Sequence, residues 1–523
     1  MLWAHRLVLA CLLTGLVTAP AVSADDGPVA LTHLGGHSSE IYTVVFSPNG
    51  QLLASASGRE VKVWDVGSGK ERFTYAIKGG GSIYGLAFSP DGGRVAVGAS
   101  KQVKVLDART GQEILLFPPA SQFLFRLGFS PDGKHLAASS GNNGVNIPGE
   151  VAVWDAATGR PVHCLRGHSQ PVLNVAYSGD GRLLAASSGA TNAVAAGEIK
   201  VWDAATRREI HSLHGHADNV YAVAFTADGR FVVSGSGVKA TNKAGEIKLW
   251  EVLTGQMVMS MPAAGGPIFG IVTSPDRRWL ATAGGDGKVR IWDAIAGKEC
   301  LSLLGDAGAD YGLALSRDGR WLAAAGHDRI VRIWDLAGHV PEPAMQTVTA
   351  GEDELAALWA DLGGPDAARA YRSAWQLVSA PKRAVPFLCT HLRPPPALAP
   401  PERERAAVWV KDLDADRYKV RERATMELSR LGEAATPVLR EGLAGNLSPE
   451  AHRRAERLLA SLSDLPLSGE RLAAFRGLAV LESVDTLEAR DLLQSLAAGL
   501  PEARLTLEAR AILDRMRKRP ERP

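Results

Sequence analysis

Residues 289–293 read VRIWD, and residues 331–335 read VRIWD again. The same five-residue pattern recurs as VKVWD at 61–65, VAVWD at 151–155, IKVWD at 199–203 and IKLWE at 247–251. A seventh copy, VKVLD at 103–107, has Leu106 in place of tryptophan. From position 64 to position 334 the steps are 42, 48, 48, 48, 42 and 42 residues. A second marker precedes each copy: SPNG at Ser47, SPDG at Ser89 and Ser130, SGDG at Ser178, TADG at Thr226, SPDR at Ser274 and SRDG at Ser316. A third, Gly-His, is kept at His37, His168 and His216. The alternation in VKVW sends the two valines to one face of a strand and Lys and Trp to the other. Asn-Gly and Asp-Gly supply the tight turns that let neighbouring strands run antiparallel.

Seven such units in register resemble the WD40 family over residues 28–335. The resemblance implies four short strands per repeat and a closed seven-bladed β-propeller. It implies that the first strand, Val29 to His33, completes the last blade beside Val331 to Trp334. It also implies a chain of Trp, Ser or Thr, His and Asp within each blade. Those networks should be partial here: His37, Ser55 and Trp64 lack an Asp in the following turn, Thr282, Asp286 and Trp292 lack a His, and repeat 7 has Ala324 where the hydroxyl belongs.

The position five residues before each Ser-Pro-Asp-Gly-like marker would lie at the top mouth of the propeller's channel. It holds Tyr42, Tyr84, Phe125, Leu173, Tyr221, Phe269 and Tyr311, six aromatics of seven in a chain with 6% aromatic residues. Ile41, Val220 and Ile268 already supply the buried face, so the aromatics are expected as a partly exposed collar suited to peptides or sugars. The alternative is packing within neighbouring strands. Repeats 3, 4 and 5 add six residues each, in GNNGVNIPGE (141–150), GATNAVAAGE (189–198) and GVKATNKAGE (237–246). These loops should wall one side of the mouth, with Asn143, Asn192 and Asn242 as candidate contacts. Glu150, Glu198 and Glu246 would stand at equivalent places, either accepting a basic peptide or serving as solvated strand-entry residues.

The chain of 523 residues is 46% hydrophobic and 22% charged, ample for packed cores. A formal net charge of +2 argues against a polyanion binder, so no nucleic-acid partner is expected. Residues 1–24, MLWAHRLVLACLLTGLVTAPAVSA, carry Arg6, an apolar run from Leu7 to Val17 and small residues up to Ala24. They read as a signal peptide, which places the protein in the periplasm or outside the cell; an uncleaved anchor is the alternative. No later stretch is apolar enough to span a membrane. Cys164, Cys300 and Cys389 lack framework spacing and are expected as small buried groups. His211, His214 and His216 are clustered without a Cys or fourth ligand, so neither a metal nor another cofactor is expected.

After Trp334 the period changes. A linker over 336–352 precedes a helical region over 353–519, in which copies start at Arg372, Arg423 and Arg476. Leu377, Leu428 and Leu481 fall in register, as do Leu388, Leu439 and Leu492. The copies resemble HEAT-type repeats, with PPPALAPPERE (394–404) as a stiff interruption. The fold class expected is a seven-bladed propeller followed by a HEAT-like helical domain. The function expected is a non-catalytic exported scaffold that binds a protein or peptide at the top face. A carbohydrate or cell-envelope binder and a hydrolase-like enzyme with its site at the channel mouth are the rivals; oligomeric state is left open.

Overall fold

Both faces of the VKVWD strand are covered in the folded chain: Val61 and Val63 on one side, Lys62 and Trp64 on the other. Sheets sandwiched between sheets require this, and the repeats provide it. The computed structural model describes residues 32–77, 81–142, 147–190, 196–238, 243–263, 265–305, 310–340, 351–394, 397–463 and 467–518. Each repeat forms one four-stranded antiparallel sheet, giving seven blades, numbered here in chain order. Blade 1 consists of Ile41–Phe46, Leu52–Ser57, Glu60–Asp65 and Glu71–Ala76. The first strand of every blade touches the first strands of the blades on either side, and blade 1 touches blade 7, so the seven surround an axial channel.

Closure is covalently out of order. The strand Thr32–Leu34 joins blade 7, with Thr32 opposite Ile333, His33 opposite Arg332 and Leu34 opposite Val331. The latch therefore lies slightly later than Val29 to His33; Val29 to Leu31 fall outside the described residues. Leu34, Ile41, Leu53 and Trp64 share one apolar layer with Ala323, Val331 and Ile333, so the seam is packed as well as hydrogen-bonded. Ring closure leaves no blade with an exposed first strand to template aggregation.

The Trp networks are fuller than the missing aspartates suggest. In blade 1, Trp64 Nε1 donates to Ser55 Oγ at 2.8 Å, His37 Nε2 bonds the same hydroxyl at 2.6 Å, and His37 Nδ1 lies 3.2 Å from Glu60 Oε1. Blade 5 repeats this with Trp250, Ser234, His216 and Glu246. Glutamate four residues before the tryptophan replaces the aspartate. Blade 6 retains only Trp292 Nε1 to Thr282 Oγ1, at 2.9 Å, because Asp286 is drawn to Arg290.

Ten α-helices follow among the described residues: α1 (Glu352–Gly363), α2 (Ala367–Ser379), α3 (Pro381–His391), α4 (Pro400–Asp412), α5 (Tyr418–Leu431), α6 (Thr436–Leu443), α7 (Pro449–Ser463), α8 (Gly469–Val484), α9 (Leu487–Ala497) and α10 (Arg504–Lys518). They do not stack as three equivalent repeats. α8 packs on α1 and α2, far earlier in the chain, and one core joins α1–α3 with α8–α10. α4–α7 close a second core of their own. Leu377, Leu428 and Leu481 are all buried, but in the third copy Leu493 rather than Leu492 takes the buried position. The proline-rich stretch is not all linker, because Pro400 and Pro401 open α4, where a missing N–H costs nothing. Nor are the cysteines all buried: Cys164 and Cys389 are exposed and Cys300 is half-buried. Cys164 and Cys300 belong to the outermost strands of blades 3 and 6, which no further strand covers. No helix among the described residues is long and apolar enough to cross a membrane.

Candidate functional site

Each innermost strand is interrupted at the same place. The pairing between first and second strands skips from Ile41 to Thr43, Ile83 to Gly85, Val172 to Asn174, Val220 to Ala222, Ile268 to Gly270 and Asp310 to Gly312. In blade 3 it skips two residues, from Leu124 to Leu127. The skipped residues are Tyr42, Tyr84, Phe125 with Arg126, Leu173, Tyr221, Phe269 and Tyr311. Every position of the expected collar is thus a β-bulge residue, which re-aims its side chain and releases its backbone from the ladder.

The rings meet around the mouth. Centroid separations are 6.1 Å for Phe125–Tyr84, 4.9 Å for Tyr84–Tyr42, 5.8 Å for Tyr42–Tyr311, 5.3 Å for Tyr311–Phe269 and 5.1 Å for Phe269–Tyr221. Leu173 fills the one non-aromatic place, between Phe125 and Tyr221 in blade order. Phe269 is buried at 8% exposure and the other six are half-buried, whereas Ile41, Val220 and Ile268 beside them are buried. Burial, with the nearby Glu40 carboxylate, pushes the Tyr42 hydroxyl up to about 12, so it stays a neutral donor. Glu40 in turn lies 3.1 Å from His327 Nε2 at the rim.

Beneath the rings is a residue the sequence pattern did not mark. Arg126 crosses from blade 3, its Nη1 donating to Tyr42 O at 2.9 Å and Tyr84 O at 3.0 Å, and its Nη2 to Tyr311 O at 3.2 Å. Asn174, one place after Leu173, donates to Tyr221 O at 3.3 Å. The bulges expose carbonyl groups to the channel, and these two side chains satisfy four of them. The signal was available: at the place of Arg126 the other repeats have Thr43, Gly85, Asn174, Ala222, Gly270 and Gly312.

The three loop glutamates do occupy equivalent places, but each carboxylate is engaged within the propeller. Glu198 lies 3.4 Å from His168 Nδ1 and accepts from Ser169 N at 3.0 Å. His168 foremost, aided by Ser169, holds the Glu198 carboxyl down at about 2. Glu246 serves His216 and Lys248. Glu150, in the blade without a Gly-His, takes Ser121 at 2.7 Å and Arg166 at 2.9 Å instead. The loop bases abut the next blade at the collar end, as in Gly149 N to Gln170 O and Gly197 N to Asp218 O, whereas Asn143, Asn192 and Asn242 lie outside the described residues. The clustered histidines separate: His211 bonds Val252 O, His214 meets Ser212, and His216 belongs to its blade network.

The opposite end of the propeller carries the helices. The Ser-Pro-Asp-Gly turns and the turns after Trp-Asp lie at the far ends of the collar strands, and the helices dock there on blades 5 and 6. Arg476 of α8 forms a paired bond to Glu251. Arg230 reaches Glu482 at 2.6 Å and Glu508 at 3.2 Å, Arg277 reaches Ser483, and Tyr371 donates to Ala294 O at 3.0 Å. Burial alone would raise the Glu482 carboxyl; Arg230, Arg515 and Arg277 outweigh it and hold it at about 2. A cavity of about 470 Å³ opens along this junction, walled by Phe231, Trp279, Tyr371 and Trp375. Its arginines at 230, 277, 476 and 515 are matched by Asp228, Glu251, Glu482 and Glu508, so it reads as a docking seam.

Residues 29–65, 71–107, 159–203, 207–251, 255–293 and 305–335 match the family model described as WD domain, G-beta repeat. The unmatched stretch 108–158 carries three of the four strands of blade 3, including its bulged strand and Arg126. No curated protein matches the chain.

Proposed function

We propose that this chain, whose WD40 repeats close into a seven-bladed propeller followed by an α-helical region, is an exported, non-catalytic interaction scaffold that takes a peptide or protein segment at the collar. The WD40 propeller is commonly a protein-interaction scaffold. The observation that carries the reading here is the unbroken run of six touching aromatic rings at one mouth, each placed by a bulge. Rigid aromatics with polar tips give contact area at small entropic cost. The helices dock at the other end of the propeller, on blades 5 and 6, so they leave the collar uncovered. The composition of residues 1–24 supports export to the periplasm or beyond.

The test is capture from the envelope and medium of the source cell with the wild-type protein and with a Tyr42, Tyr221 and Tyr311 triple alanine variant. Species retained by the wild type and lost with the variant support the assignment. Equal capture by both removes the collar as the site. Retention of glycans in place of proteins, again collar-dependent, would move the reading to the carbohydrate rival.

A further inference from the structure

Resting on the collar reading, we propose that the ligand segment presents a carboxylate, which enters the ring of aromatics and is bound by Arg126 in the channel. The Arg126 guanidinium is held against the backbone of three collar residues, in blades 1, 2 and 7, yet the residue is only half-buried. It therefore faces free space within the channel rather than packed protein. Three of its five N–H hydrogens go to the carbonyls of Tyr42, Tyr84 and Tyr311. Two remain for an acceptor.

Among the described residues no carboxylate pairs with Arg126. The basic residues of the VKVWD-type strands are matched by carboxylates: Lys62 with Glu71, Lys104 with Glu113, Lys200 with Glu209, Lys248 with Glu246, Arg290 with Asp286 and Arg332 with Asp328. Desolvation of its guanidinium holds its pKa below the ordinary arginine value, at about 10, which still leaves the cation at neutral pH. A cation held in a low-dielectric channel by carbonyl dipoles alone gains most from an anion that replaces lost water.

The geometry also selects the kind of anion. Planar guanidinium hydrogens match the two oxygens of a carboxylate. The aromatic walls above favour apolar neighbours of that group, so the complement is a peptide whose Asp, Glu or C-terminal carboxylate is flanked by apolar residues. Glu40, the acid at the rim, is held by His327 and Tyr42 and stands on the blade 1 side. It disfavours a second negative charge at the surface, and so favours a single carboxylate that passes through to Arg126.

The experiment uses the full chain on beads and three synthetic hexapeptide pools: free C-termini with all residues, amidated C-termini with all residues, and amidated C-termini lacking Asp and Glu. Retained peptides are identified by mass spectrometry. Carboxylate-bearing peptides should be enriched about tenfold or more over the pool lacking them, as expected of one charge-assisted pair. Arg126→Met should abolish that enrichment while Arg126→Lys keeps part of it. Preference for the first pool over the second assigns a C-terminal carboxylate; equal retention of both assigns a side chain. Peptides retained by the wild type with no carboxylate preference overturn the proposal but leave the collar reading standing. No retention by the wild type defeats both. Should Arg126→Met fail to fold, the ¹⁵N shift of the Arg126 Nε–H is followed while the best-retained peptide is added to wild-type protein. An unmoved signal overturns the proposal.

Discussion

Arg476 and Glu251 face one another across the junction of helices and propeller, with Nε to Oε1 at 2.7 Å and Nη2 to Oε2 at 2.6 Å. The same guanidinium donates through Nη1 to Leu362 O at 2.7 Å and Gly364 O at 3.0 Å, which ties α1 and α8 to one another. Glu251 is the one departure from aspartate at the acidic position of the seven repeats. In blades 1 to 4 the aspartate stays home and caps its own turn, as Asp155 does for Thr158. Glu251 still accepts from Thr254 at 2.6 Å, and its extra methylene lets it reach outward as well.

That geometry predicts the cost of removing either partner. Arg476→Met leaves a buried carboxylate facing apolar surface and should destabilise the chain by about 3–5 kcal/mol. Glu251→Asp, which restores the repeat pattern, should also destabilise by about 1–3 kcal/mol, because the shorter carboxylate cannot keep both prongs. Thermal unfolding measures both. A neutral Glu251→Asp would show that the pair contributes nothing to docking.

A second departure from the repeat pattern has the same cause. Six of the seven turns end in glycine with φ between 71° and 77°, whereas blade 6 has Arg277 at φ 67°. A side chain there costs about 1 kcal/mol. Arg277 nonetheless bonds Asp228 at 2.6 Å and Ser483 at 2.7 Å, reaching both the neighbouring blade and α8. Arg277→Gly should therefore destabilise by about 2–4 kcal/mol, since relief of strain is smaller than the loss of a buried pair. Arg207 at φ 64° is exposed, so Arg207→Gly should be neutral or stabilise by up to about 1 kcal/mol. Chemical denaturation of both variants checks the opposite signs.

The propeller was legible because its signals are local. Tryptophan, the Asp-Gly turns and strand alternation each act within a few residues, and they place every blade. The collar was legible for the same reason, since the bulge falls at a fixed offset from the turn. What escaped was pairing between repeats and beyond them. Glu60, Glu198 and Glu246 are four residues before their tryptophans, and they partner the histidines only in repeats that keep Gly-His; the long loops of two of those repeats suggested solvent instead. Arg126 escaped because its partners are carbonyl groups, which carry no side-chain signature. In the helical region the apolar period marks Leu472, Leu478 and Leu481 of α8 as buried but misses Arg476 and Glu482, which are buried against charged partners. It says nothing of which helix buries them, so α8 returning to α1 could not be read from Leu481 alone.

Blade 4 offers a gain of stability. Ala186 stands opposite Lys200, the register that Ser55 has with Lys62 and Ser234 with Lys248. The hydroxyl that joins Trp and His in those blades is therefore missing between Trp202 and His168, and His168 Nε2 lacks a partner among the described residues. Ala186→Ser should complete the network and stabilise the fold by about 1 kcal/mol. Thermal unfolding of the single variant decides it. A lower midpoint would mean that the added oxygen is not met by both rings.

The buried histidines give the fold an acid limit. Burial lowers His37 to about 4 and His216 to about 3, with Glu60 only partly opposing the effect at His37. In the unfolded chain both would titrate near the ordinary value of 6.5. Between those values the unfolded state binds protons that the folded state refuses, so stability rises with pH. The contribution is fully present above about pH 6.5 and is lost as the pH falls toward 4, each histidine costing about 2 kcal/mol between pH 7 and pH 5. Glu198, held at about 2, adds a second loss only below the ordinary carboxylate range, as it becomes protonated. His216→Asn should lower stability at pH 7 but flatten the decline between pH 7 and pH 5 by about 2 kcal/mol. Denaturant midpoints at four pH values measure the slope, and an unchanged slope in the variant would place the acid sensitivity in some other group.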